Sequence, residues 1–171
     1  MYTEAYYCKN KCCKIHTTFY RGKNKGFNSN YKKAGVLIYD PKTDRILLVQ
    51  SRGNLWGPPK GTMKKWETAM ECAIREVKEE TGLNVNLTDK TISVNVKNRA
   101  IYYYVEMDYR DINVQSQNND NDANGITWIK LSCLKDIIYN GDIYLNHYCK
   151  IVIKYFLGVN FLKSKWKLVK K

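Results

Sequence analysis

The segment at residues 61–83, GTMKKWETAMECAIREVKEETGL, restricts the possible fold more than any other part of the chain. Glu76, Glu79 and Glu80 are spaced i, i+3, i+4, which places their carboxylates on one face of an α-helix. Because the three negative charges repel each other, this spacing destabilises an isolated helix. Mg²⁺ and Mn²⁺ bind to clustered oxygen ligands of this kind, and a bound cation would cancel the repulsion. The spacing therefore predicts a helix that presents a divalent-metal site.

Local signals predict where this helix begins and ends. Thr68 followed by Glu71 predicts a capping box, and Gly82 predicts a left-handed residue just after the last turn. The preceding segment NLWGPPKG contains two prolines and two glycines, which exclude a helix there. An apolar stripe well away from the glutamate face is formed by Met70, Ala73, Ile74 and Val77. We therefore expect one face of the helix to pack on a core while the other presents carboxylates.

This segment resembles the Nudix box, the pattern G-x5-E-x7-R-E-U-x-E-E-x-G-U in which U is aliphatic. Nine defined positions over 23 residues all match, which makes the resemblance specific. They are Gly61, Glu67, Arg75, Glu76, Val77, Glu79, Glu80, Gly82 and Leu83. The alternative is an amphipathic surface helix that is merely acidic. The resemblance implies an α/β/α sandwich on a mixed β-sheet and hydrolysis of a nucleoside diphosphate linked to another moiety.

The resemblance also implies the metal ligands. Glu76, Glu79 and Glu80 would hold Mg²⁺ or Mn²⁺, often joined by the carbonyl of Gly61, with Glu67 in the outer shell. The metal would polarise the phosphoryl group, neutralise pyrophosphate charge and lower the pKa of a bound water.

Several residues are candidates for catalysis beside the metal. Arg75 would orient the glutamates through charge-assisted hydrogen bonds, or form a structural salt bridge within the helix, and both roles are compatible. The resemblance implies that the general base is a box glutamate or an acid from a later strand or loop. Asp120 and Asp122 are further possibilities, although a solvated loop is the favoured interpretation for them. Many relatives carry a glutamate near the position of Gly125. The candidate catalytic residues are Arg75, Glu79, Glu80 and Glu106.

The substrate has to be inferred from residues outside the box. The leader segment WGPPKG, residues 56–61, resembles the W-G-F-P-K-G leader of mRNA-decapping Nudix enzymes, with Pro58 replacing the aromatic residue. It also resembles the W-x-P-P-K-G leader of diadenosine polyphosphate hydrolases. Lys60 could contact substrate phosphates as a point charge. Trp56, Lys60 and Glu67 are the candidate substrate-binding residues.

All of the net charge of +13 lies at the two ends of the chain. Residues 1–33 hold eight Lys or Arg and one acid, and residues 140–171 hold seven Lys and one acid, while residues 34–139 hold 14 of each sign. This distribution is typical of a protein with a polyanionic partner, although basic ends could also serve solubility alone. The possible RNA contacts are Lys150, Lys154, Lys163, Lys165, Trp166 and Lys167. Tyr148 and Tyr155 could stack on bases, but their helical spacing favours core packing.

Three regions are predicted along the chain: an irregular basic extension over residues 1–33, a Nudix domain over 34–139, and an amphipathic helix with a basic tail over 140–171. Strands are expected at 34–40, 45–51, 84–87, 91–97, 100–109 and 126–131. A polar loop is expected at 115–125 and a short helix at 134–138. The C-terminal helix is expected over 142–158, with a stripe that includes Leu145, Val152 and Tyr155.

Apolar leader and transmembrane segments bear on where the protein is located and on the redox state of its cysteines. No apolar h-region or transmembrane run is visible, so we expect a cytoplasmic protein with reduced thiols and no membrane partner. Cys8, Cys12, Cys13 and His16 could bind Zn²⁺, with Cys149 or His147 as a further ligand. Because their spacing matches no paired C-x2-C form, unremarkable thiols are the favoured interpretation.

The leading hypothesis is an Mg²⁺- or Mn²⁺-dependent Nudix hydrolase that removes the cap of RNA and releases a nucleoside diphosphate. Only about 33 residues precede the core, too few for the helical regulatory domain of cellular decapping enzymes, so a compact form such as large DNA viruses encode is expected. The alternatives are hydrolysis of diadenosine polyphosphates, nucleoside triphosphates or diphosphoinositol polyphosphates, and a non-catalytic RNA-binding module. No stable protein partner is indicated.

Overall fold

A computed structural model describes residues 3–18, 32–51, 55–113 and 123–159 of the 171-residue chain. The strands are β1 Thr3–Tyr7, β2 Lys14–Thr18, β3 Lys33–Asp40, β4 Arg45–Ser51, β5 Leu55–Gly57, β6 Lys60–Thr62, β7 Ser93–Val96, β8 Ala100–Glu106, β9 Ala123–Lys130 and β10 Tyr144–Leu145. The helices are α1 Ala69–Thr81, α2 Leu131–Tyr139 and α3 His147–Leu157. The glutamate segment therefore forms α1.

The strands form one mixed sheet, whose main order is β1-β2-β9-β4-β3-β8-β7. β3 and β8 are parallel over seven residue pairs, which begin at Lys33 and end at Tyr39 in β3. The other neighbours in this order are antiparallel. β5 pairs with β4, and β6 pairs with the start of β3, where Gly61 lies opposite Ala34. The first residues of the Nudix-like box therefore lie beside the start of β3.

The central strands are buried on both faces, because helices cover the sheet on two sides. In β3, Val36 and Ile38 pack in the core beneath α1, whereas Leu37 packs in the opposite core with α2 and α3. Leu47 and Leu48 of β4 are divided between the two cores in the same way. Strands that are buried on both faces have continuous apolar sequences, as residues 34–40 and 45–51 do. The predicted α/β/α sandwich on a mixed sheet is confirmed.

The predicted start, end and apolar face of α1 are confirmed. The Thr68 hydroxyl accepts the N–H of Glu71 at 3.2 Å, and the Glu71 carboxylate accepts the N–H of Thr68 at 2.8 Å, which completes the capping box. Gly82 has a left-handed φ of 73° and donates its N–H to the carbonyl of Lys78. The apolar stripe packs in the core beneath α1, with Ala73 and Val77 fully buried and Met70 and Ile74 at its edge.

The prediction of an irregular extension over residues 1–33 is wrong for its described part. β1 and β2 form an antiparallel hairpin, and β2 continues the sheet by pairing with β9. Cys13 and Ile15 are fully buried in the core beneath α2 and α3. An edge hairpin that is covered on one face keeps many polar residues, so its alternation is weak in the sequence. Residues 19–31 lie outside the described residues.

The strand predicted at residues 84–87 does not form. Leu83, Val85 and Leu87 pack in the core beneath α1, while Asn84 and Asn86 between them are exposed. The alternation therefore reflects an extended segment buried on one side, and in the described part of the sheet no strand pairs with it. The strand predicted at 45–51 forms with those bounds, and the other predicted strands form with shifted ends. Most of the predicted loop at 115–125 lies outside the described residues.

The C-terminal helix is shorter than predicted. It begins at His147, and the Asn146 side chain caps it by accepting the N–H of Cys149. β10 precedes this cap. Cys149 and Val152 are fully buried, but Tyr155 of the predicted stripe is 59% exposed. The short helix expected at 134–138 is the longer α2. Residues 160–171, which include the basic tail, lie outside the described residues.

The boundaries at residues 34 and 139 remain a prediction, and described residues on both sides of them pack in the same cores. Among the described residues, no helix combines the length and the apolar character needed to cross a membrane.

Candidate active site

The glutamate face of α1 forms one wall of a cleft of about 310 Å³ at the start of β3. β6 forms an adjoining wall, because its pairing with β3 places Lys60 and Gly61 against the helix. The cleft is lined on the helix by Arg75, Glu76, Glu79 and Glu80, and on the strands and the following loop by Lys33, Ser51, Lys60, Gly61, Thr62 and Lys64. Three lysines therefore line the same cleft as three glutamates.

Arg75 binds three carboxylates at once. Its Nε and Nη2 donate to the two oxygens of Glu67 at 2.6 and 2.9 Å, and its Nη1 donates to Glu76 at 2.6 Å and to Glu79 at 2.9 Å. The planar guanidinium can do this because its five N–H groups have a fixed geometry. The hydrogen bond from Arg75 is the main reason that the pKa of Glu67 falls to about 2, with burial opposing it. Both predicted roles of Arg75, orientation and ion pairing, are compatible with this geometry.

Gly61 lies directly against the Glu76 carboxylate. A Cβ at position 61 would overlap all three atoms of that carboxylate group. Burial raises the pKa of Glu76, as do the charges of Glu79 and Glu67, while Arg75 acts in the opposite direction. Position 61 therefore requires glycine, because the backbone there lies in contact with the Glu76 carboxylate.

Glu80 is the most enclosed of the three helix glutamates, with 3% of its surface exposed. Its Oε2 accepts the backbone N–H of Lys60 at 2.9 Å, so it joins the helix to β6. A buried carboxylate is costly unless it is hydrogen-bonded. Glu80 therefore helps to fix the leader segment relative to α1.

The donor set fits a divalent cation that prefers oxygen ligands. Glu67, Glu76, Glu79 and Glu80 supply four carboxylates. Arg75 supplies one guanidinium among them, so this wall keeps an excess of negative charge. The described hydrogen bonds of Arg75 use one oxygen of Glu76 and one of Glu79, which leaves a second oxygen on each for a cation. Clustered carboxylates of this kind are typical ligands of Mg²⁺-like ions.

Lys33 and Lys64 are cleft residues that the sequence analysis missed. Lys33 lies opposite Thr62 in the β3–β6 pairing, and Lys64 follows β6 by two residues. Neither has a sequence signal of its own, since Lys33 falls at the end of the basic extension and Lys64 at a variable box position. Only the pairing of β6 with β3 brings them together with Lys60.

Trp56 does not line the cleft, contrary to its prediction as a substrate-binding residue. It is 1% exposed and packs in the core beneath α2 and α3. β5 pairs with both β4 and β10, and this pairing encloses the indole ring. The ring also explains why position 125 lacks a glutamate, because a Cβ on Gly125 would lie 2.8 Å from the ring and 2.9 Å from the side chain of Gln50.

Glu106, a predicted catalytic residue, is also remote from the cleft, and the structure does not bring it to the glutamates of α1. It lies opposite Tyr39, at the far end of the β3–β8 pairing, whereas the cleft lies at Lys33. Six strand residues separate the two ends, a distance of roughly 20 Å. The Glu106 carboxylate instead accepts the hydroxyl of Tyr104 at 2.9 Å. Asp120 and Asp122 lie outside the described residues.

Two of the predicted RNA contacts, Lys150 and Lys154, lie on α3. Burial raises the pKa of the Cys149 thiol to about 12, and the charges of Lys60 and Lys150 oppose that rise. The start of α3 is joined to the leader segment by the hydrogen bond from the N–H of Asn146 to the carbonyl of Trp56 at 2.9 Å. Lys154 is exposed in the last turn. The other candidates lie outside the described residues, namely Lys163, Lys165, Trp166 and Lys167.

A family model of the NUDIX domain matches residues 30–145, about two thirds of the chain. The chain therefore belongs to the Nudix family, as the box predicts. Protein 111R of Invertebrate iridescent virus 3, named as a hydrolase, is 31% identical over 140 residues, which are 78% of this chain and 82% of that protein. The domain and the hydrolase relatives make this chain a Nudix pyrophosphohydrolase.

Two further similarities concern proteins with named substrates. The m7GpppN-mRNA hydrolase dcap-2 of Caenorhabditis elegans is 30% identical over 115 residues, which are 63% of this chain but only 14% of that longer protein. The structure of the E. coli dihydroneopterin triphosphate pyrophosphohydrolase matches with a TM-score of 0.53 over 74% of this chain and 96% of that one. Its sequence identity of 21% supports the shared fold alone.

Proposed function

We propose that this Nudix hydrolase removes the 5′ cap of mRNA by cutting the phosphate bridge and releasing a nucleoside diphosphate. The observation that carries the proposal is the similarity to an mRNA-decapping hydrolase over 115 residues, far beyond the 23-residue box. The basic ends support it, because a decapping enzyme must hold an RNA body as well as the cap. A hydrolase of free nucleotides needs no such surface.

The cleft residues divide the chemistry between them. Glu76, Glu79 and Glu80 would hold Mg²⁺ or Mn²⁺, which when bound would polarise the phosphoryl group and lower the pKa of a coordinated water. Arg75 keeps Glu76 and Glu79 in place through its hydrogen bonds. With Glu106 remote from the cleft, Glu79 and Glu80 are the described candidates for accepting a proton.

The three lysines of the cleft would bind the phosphate bridge. Lys33, Lys60 and Lys64 line the same cleft as the glutamates, so phosphate oxygens bound there would meet these cations as well as the metal. The RNA body would then leave the cleft past Lys150 and along α3, because the N–H of Asn146, just before α3, donates to the carbonyl of Trp56 in the leader segment at 2.9 Å. This path would also bring RNA towards Lys154.

The second candidate function is hydrolysis of a small nucleotide, such as a nucleoside triphosphate or a dinucleoside polyphosphate. Two observations favour it. The cleft of about 310 Å³ is near the lower end of the range of ligand pockets, and a segment of 52 residues is 40% identical to the E. coli dihydroneopterin triphosphate diphosphatase. A non-catalytic RNA-binding module remains the alternative of another class, but it would not need all three helix glutamates.

A substrate panel separates these functions. Cap-labelled RNA, free cap dinucleotide and diadenosine tetraphosphate are incubated with the full chain in Mg²⁺ or Mn²⁺, and the products are separated by chromatography. We expect release of a nucleoside diphosphate from capped RNA at a higher kcat/KM than for either dinucleotide. Cleavage of the dinucleotides without cleavage of capped RNA would refute decapping while leaving the hydrolase assignment intact.

The same panel with glutamate variants tests the metal site. Glu79→Gln and Glu80→Gln should each lower kcat by about 10²-fold or more, because each removes a charged ligand or proton acceptor from the cleft. Glu71→Gln is the matched control, since it removes an acid from the same helix while glutamine still satisfies the capping box. Full activity of the Glu79 and Glu80 variants would show that the metal-site assignment is wrong.

A further inference from the structure

Four cysteines converge at the edge of the sheet, three from the start of the chain and one from α2, and none of them lines the cleft. Cys8, Cys12 and Cys13 lie in the connection between β1 and β2, and Cys133 lies in the first turn of α2. Their Sγ atoms all lie within 4.8 Å of one another. We propose that these four thiolates bind one structural Zn²⁺, which attaches the β1–β2 hairpin to α2.

The sulfur positions are close to those of a tetrahedral site. A Zn–S bond of about 2.3 Å places neighbouring sulfurs of a tetrahedron roughly 3.8 Å apart. The Cys12 sulfur lies 3.5 Å from that of Cys8, 3.6 Å from that of Cys13 and 2.9 Å from that of Cys133. A tetrahedral site therefore requires the Cys12–Cys133 contact to lengthen by roughly 0.9 Å and the other two contacts of Cys12 by about 0.3 Å or less.

Hydrogen-bond donors already point to the sulfurs. The N–H of Cys13 donates to Cys8 Sγ at 3.4 Å, and the N–H of Lys130 donates to Cys13 Sγ at 3.3 Å. The side-chain amide of Asn10 contacts Cys133 Sγ at 3.9 Å. Four thiolates around a Zn²⁺ ion keep a net negative charge, and partners of this kind orient the ligands and stabilise that charge.

The guanidinium of Arg45 also offsets the negative charge of the four thiolates. Arg45 donates to the carbonyl of Cys12 at 2.7 Å and to that of Trp128 at 3.2 Å, and its Nη1 lies 3.9 Å from Cys13 Sγ. Arg45 therefore joins the cysteine loop to β9 and places its guanidinium beside the cluster. Four unremarkable thiols would require neither a guanidinium beside the cluster nor hydrogen-bond donors directed at the sulfurs.

The site has a structural purpose. Among the described residues, β2 pairs with β9 through three residue pairs, and a short edge hairpin of this kind is weakly stable by itself. A metal that links Cys12 to Cys133, across 121 residues of chain, would fix the hairpin to the sandwich. Sulfur ligands select Zn²⁺, whereas the oxygen ligands of the cleft select Mg²⁺ or Mn²⁺, so the two sites are chemically distinct.

The other residues suggested from the sequence do not belong to this cluster. His16 pairs with Ile126 on the strand and lines a pocket beside the cluster together with Cys12 and Arg45, but its ring nitrogens are not among the ligand atoms that lie together. Cys149 is fully buried in α3, and His147 begins that helix. The fourth ligand is instead Cys133, which sequence spacing could not associate with the first three.

Metal analysis of the full chain tests the proposal. The protein is purified under reducing conditions from zinc-supplemented cells, and zinc is quantified by atomic mass spectrometry. We expect about one Zn²⁺ per chain, and we expect Co²⁺ exchanged into the site to show thiolate-to-metal charge transfer and the visible bands of a tetrahedral ion. Removing the metal with a chelator should lower the Tm by roughly 10 °C.

Single substitutions identify the ligands. Cys12→Ser and Cys133→Ser should lose the bound zinc and the chelator-dependent change in Tm. Cys149→Ser is the matched control, a buried cysteine outside the cluster, and it should keep both. The Co²⁺ spectrum of the unsubstituted chain tests the site even if a variant fails to fold.

Three results would overturn the proposal. The first is an unsubstituted, reduced chain that contains no zinc and gives no charge-transfer band with Co²⁺. The second is unchanged zinc content in Cys12→Ser and Cys133→Ser. The third is a Cys12–Cys133 disulfide in the purified chain, detected by peptide mass spectrometry after alkylation, since the 2.9 Å contact would then reflect sulfurs that approach each other to bond.

Discussion

Arg75 is the residue that holds the acidic wall of the cleft together. Its guanidinium donates to Glu67, Glu76 and Glu79 from three of its nitrogens. A lysine would keep the positive charge but has one nitrogen on a flexible chain, so it cannot serve all three carboxylates. The spacing of the glutamates along the chain therefore specifies the ligands, and Arg75 specifies their arrangement.

Arg75→Lys should lower kcat for any hydrolysed substrate by about 10- to 100-fold, the usual effect of losing an outer-shell partner of metal ligands. We also expect a higher metal concentration for half-maximal activity. Both values come from initial rates at increasing Mg²⁺. Lys78→Arg is the control, because it makes the reverse exchange on the exposed side of the same helix. Equal activity of Arg75→Lys and the original chain would contradict the orienting role.

The lowered pKa of Glu67 predicts how the stability of the folded chain changes with pH. The hydrogen bond from Arg75 lowers its pKa from the ordinary 4.5 to about 2. Since the folded-state pKa is depressed, the stability from this group is present above pH 4.5 and is lost as the pH falls towards 2. Glu67→Gln lacks this titration. The difference in Tm between the original chain and Glu67→Gln should therefore be constant above about pH 6 and narrow from pH 4.5 downwards.

Thermal unfolding followed by circular dichroism between pH 7 and pH 3.5 measures this difference. Glu106→Gln is the comparison variant, because it removes a carboxylate at the far end of the sheet. A Tm difference for Glu67→Gln that stays constant over the whole range would mean that the ion pair with Arg75 contributes no pH-dependent stability.

At the scale of the elements, α1 is specified locally and β6 is not. The capping box, the apolar stripe and Gly82 together determine where α1 begins, which face it buries and where it ends. β6 has three residues and its sequence, KGT, has no strand signal. Its pairing with β3 nevertheless forms the second wall of the cleft.

Thr68→Ala should lower the free energy of unfolding by about 1 kcal/mol, because it removes the acceptor for the N–H of Glu71. Thr68→Ser keeps the hydroxyl oxygen and should stay within about 0.5 kcal/mol of the original chain. Urea unfolding at 25 °C, with both variants measured side by side, compares them. Equal losses in Thr68→Ala and Thr68→Ser would mean that packing of the threonine methyl group, rather than the cap, stabilises the start of α1.

At the scale of the whole molecule, the excess positive charge and the glutamates of the cleft lie in different parts of the chain. Residues 34–139 have no net charge, whereas the two ends carry the entire excess of +13. The structure brings parts of both ends against the sandwich, as the β1–β2 hairpin at one edge and as α3 beside the leader segment. The proposed RNA path along α3 depends on this arrangement.

Replacing Lys150 and Lys154 together with alanine should raise the KM for capped RNA several-fold at low salt. Two lost phosphate contacts should also reduce the slope of log affinity against log salt by about 1.4, since each contact contributes about 0.7 for a single strand. The control replaces Lys90 and Lys135, two exposed lysines from the neutral part of the chain. Affinity by fluorescence anisotropy from low to high salt gives both slopes. Identical slopes for the two double variants would refute RNA binding by α3.

Much of the candidate site could be predicted from the sequence, because its residues lie within one helix and the loop before it. Helical spacing alone placed Glu76, Glu79 and Glu80 on one face, and the box pattern identified Gly61 and Arg75. The same reasoning failed for Trp56 and Glu106. A tryptophan beside the box can face the cleft or the core, and only the pairing of β5 with β4 and β10 decides between them.

The Nudix family, the reaction class and the limits of α1 could be inferred from the sequence alone, because the box and the capping signals lie within one short segment. Features that depend on residues far apart in the chain required the fold. It added Lys33 to the cleft, placed Glu106 at the far end of β8, and brought Cys133 to three cysteines more than 100 residues earlier. Strand pairing joins segments that sequence spacing cannot connect, since a strand's own pattern does not specify its neighbour.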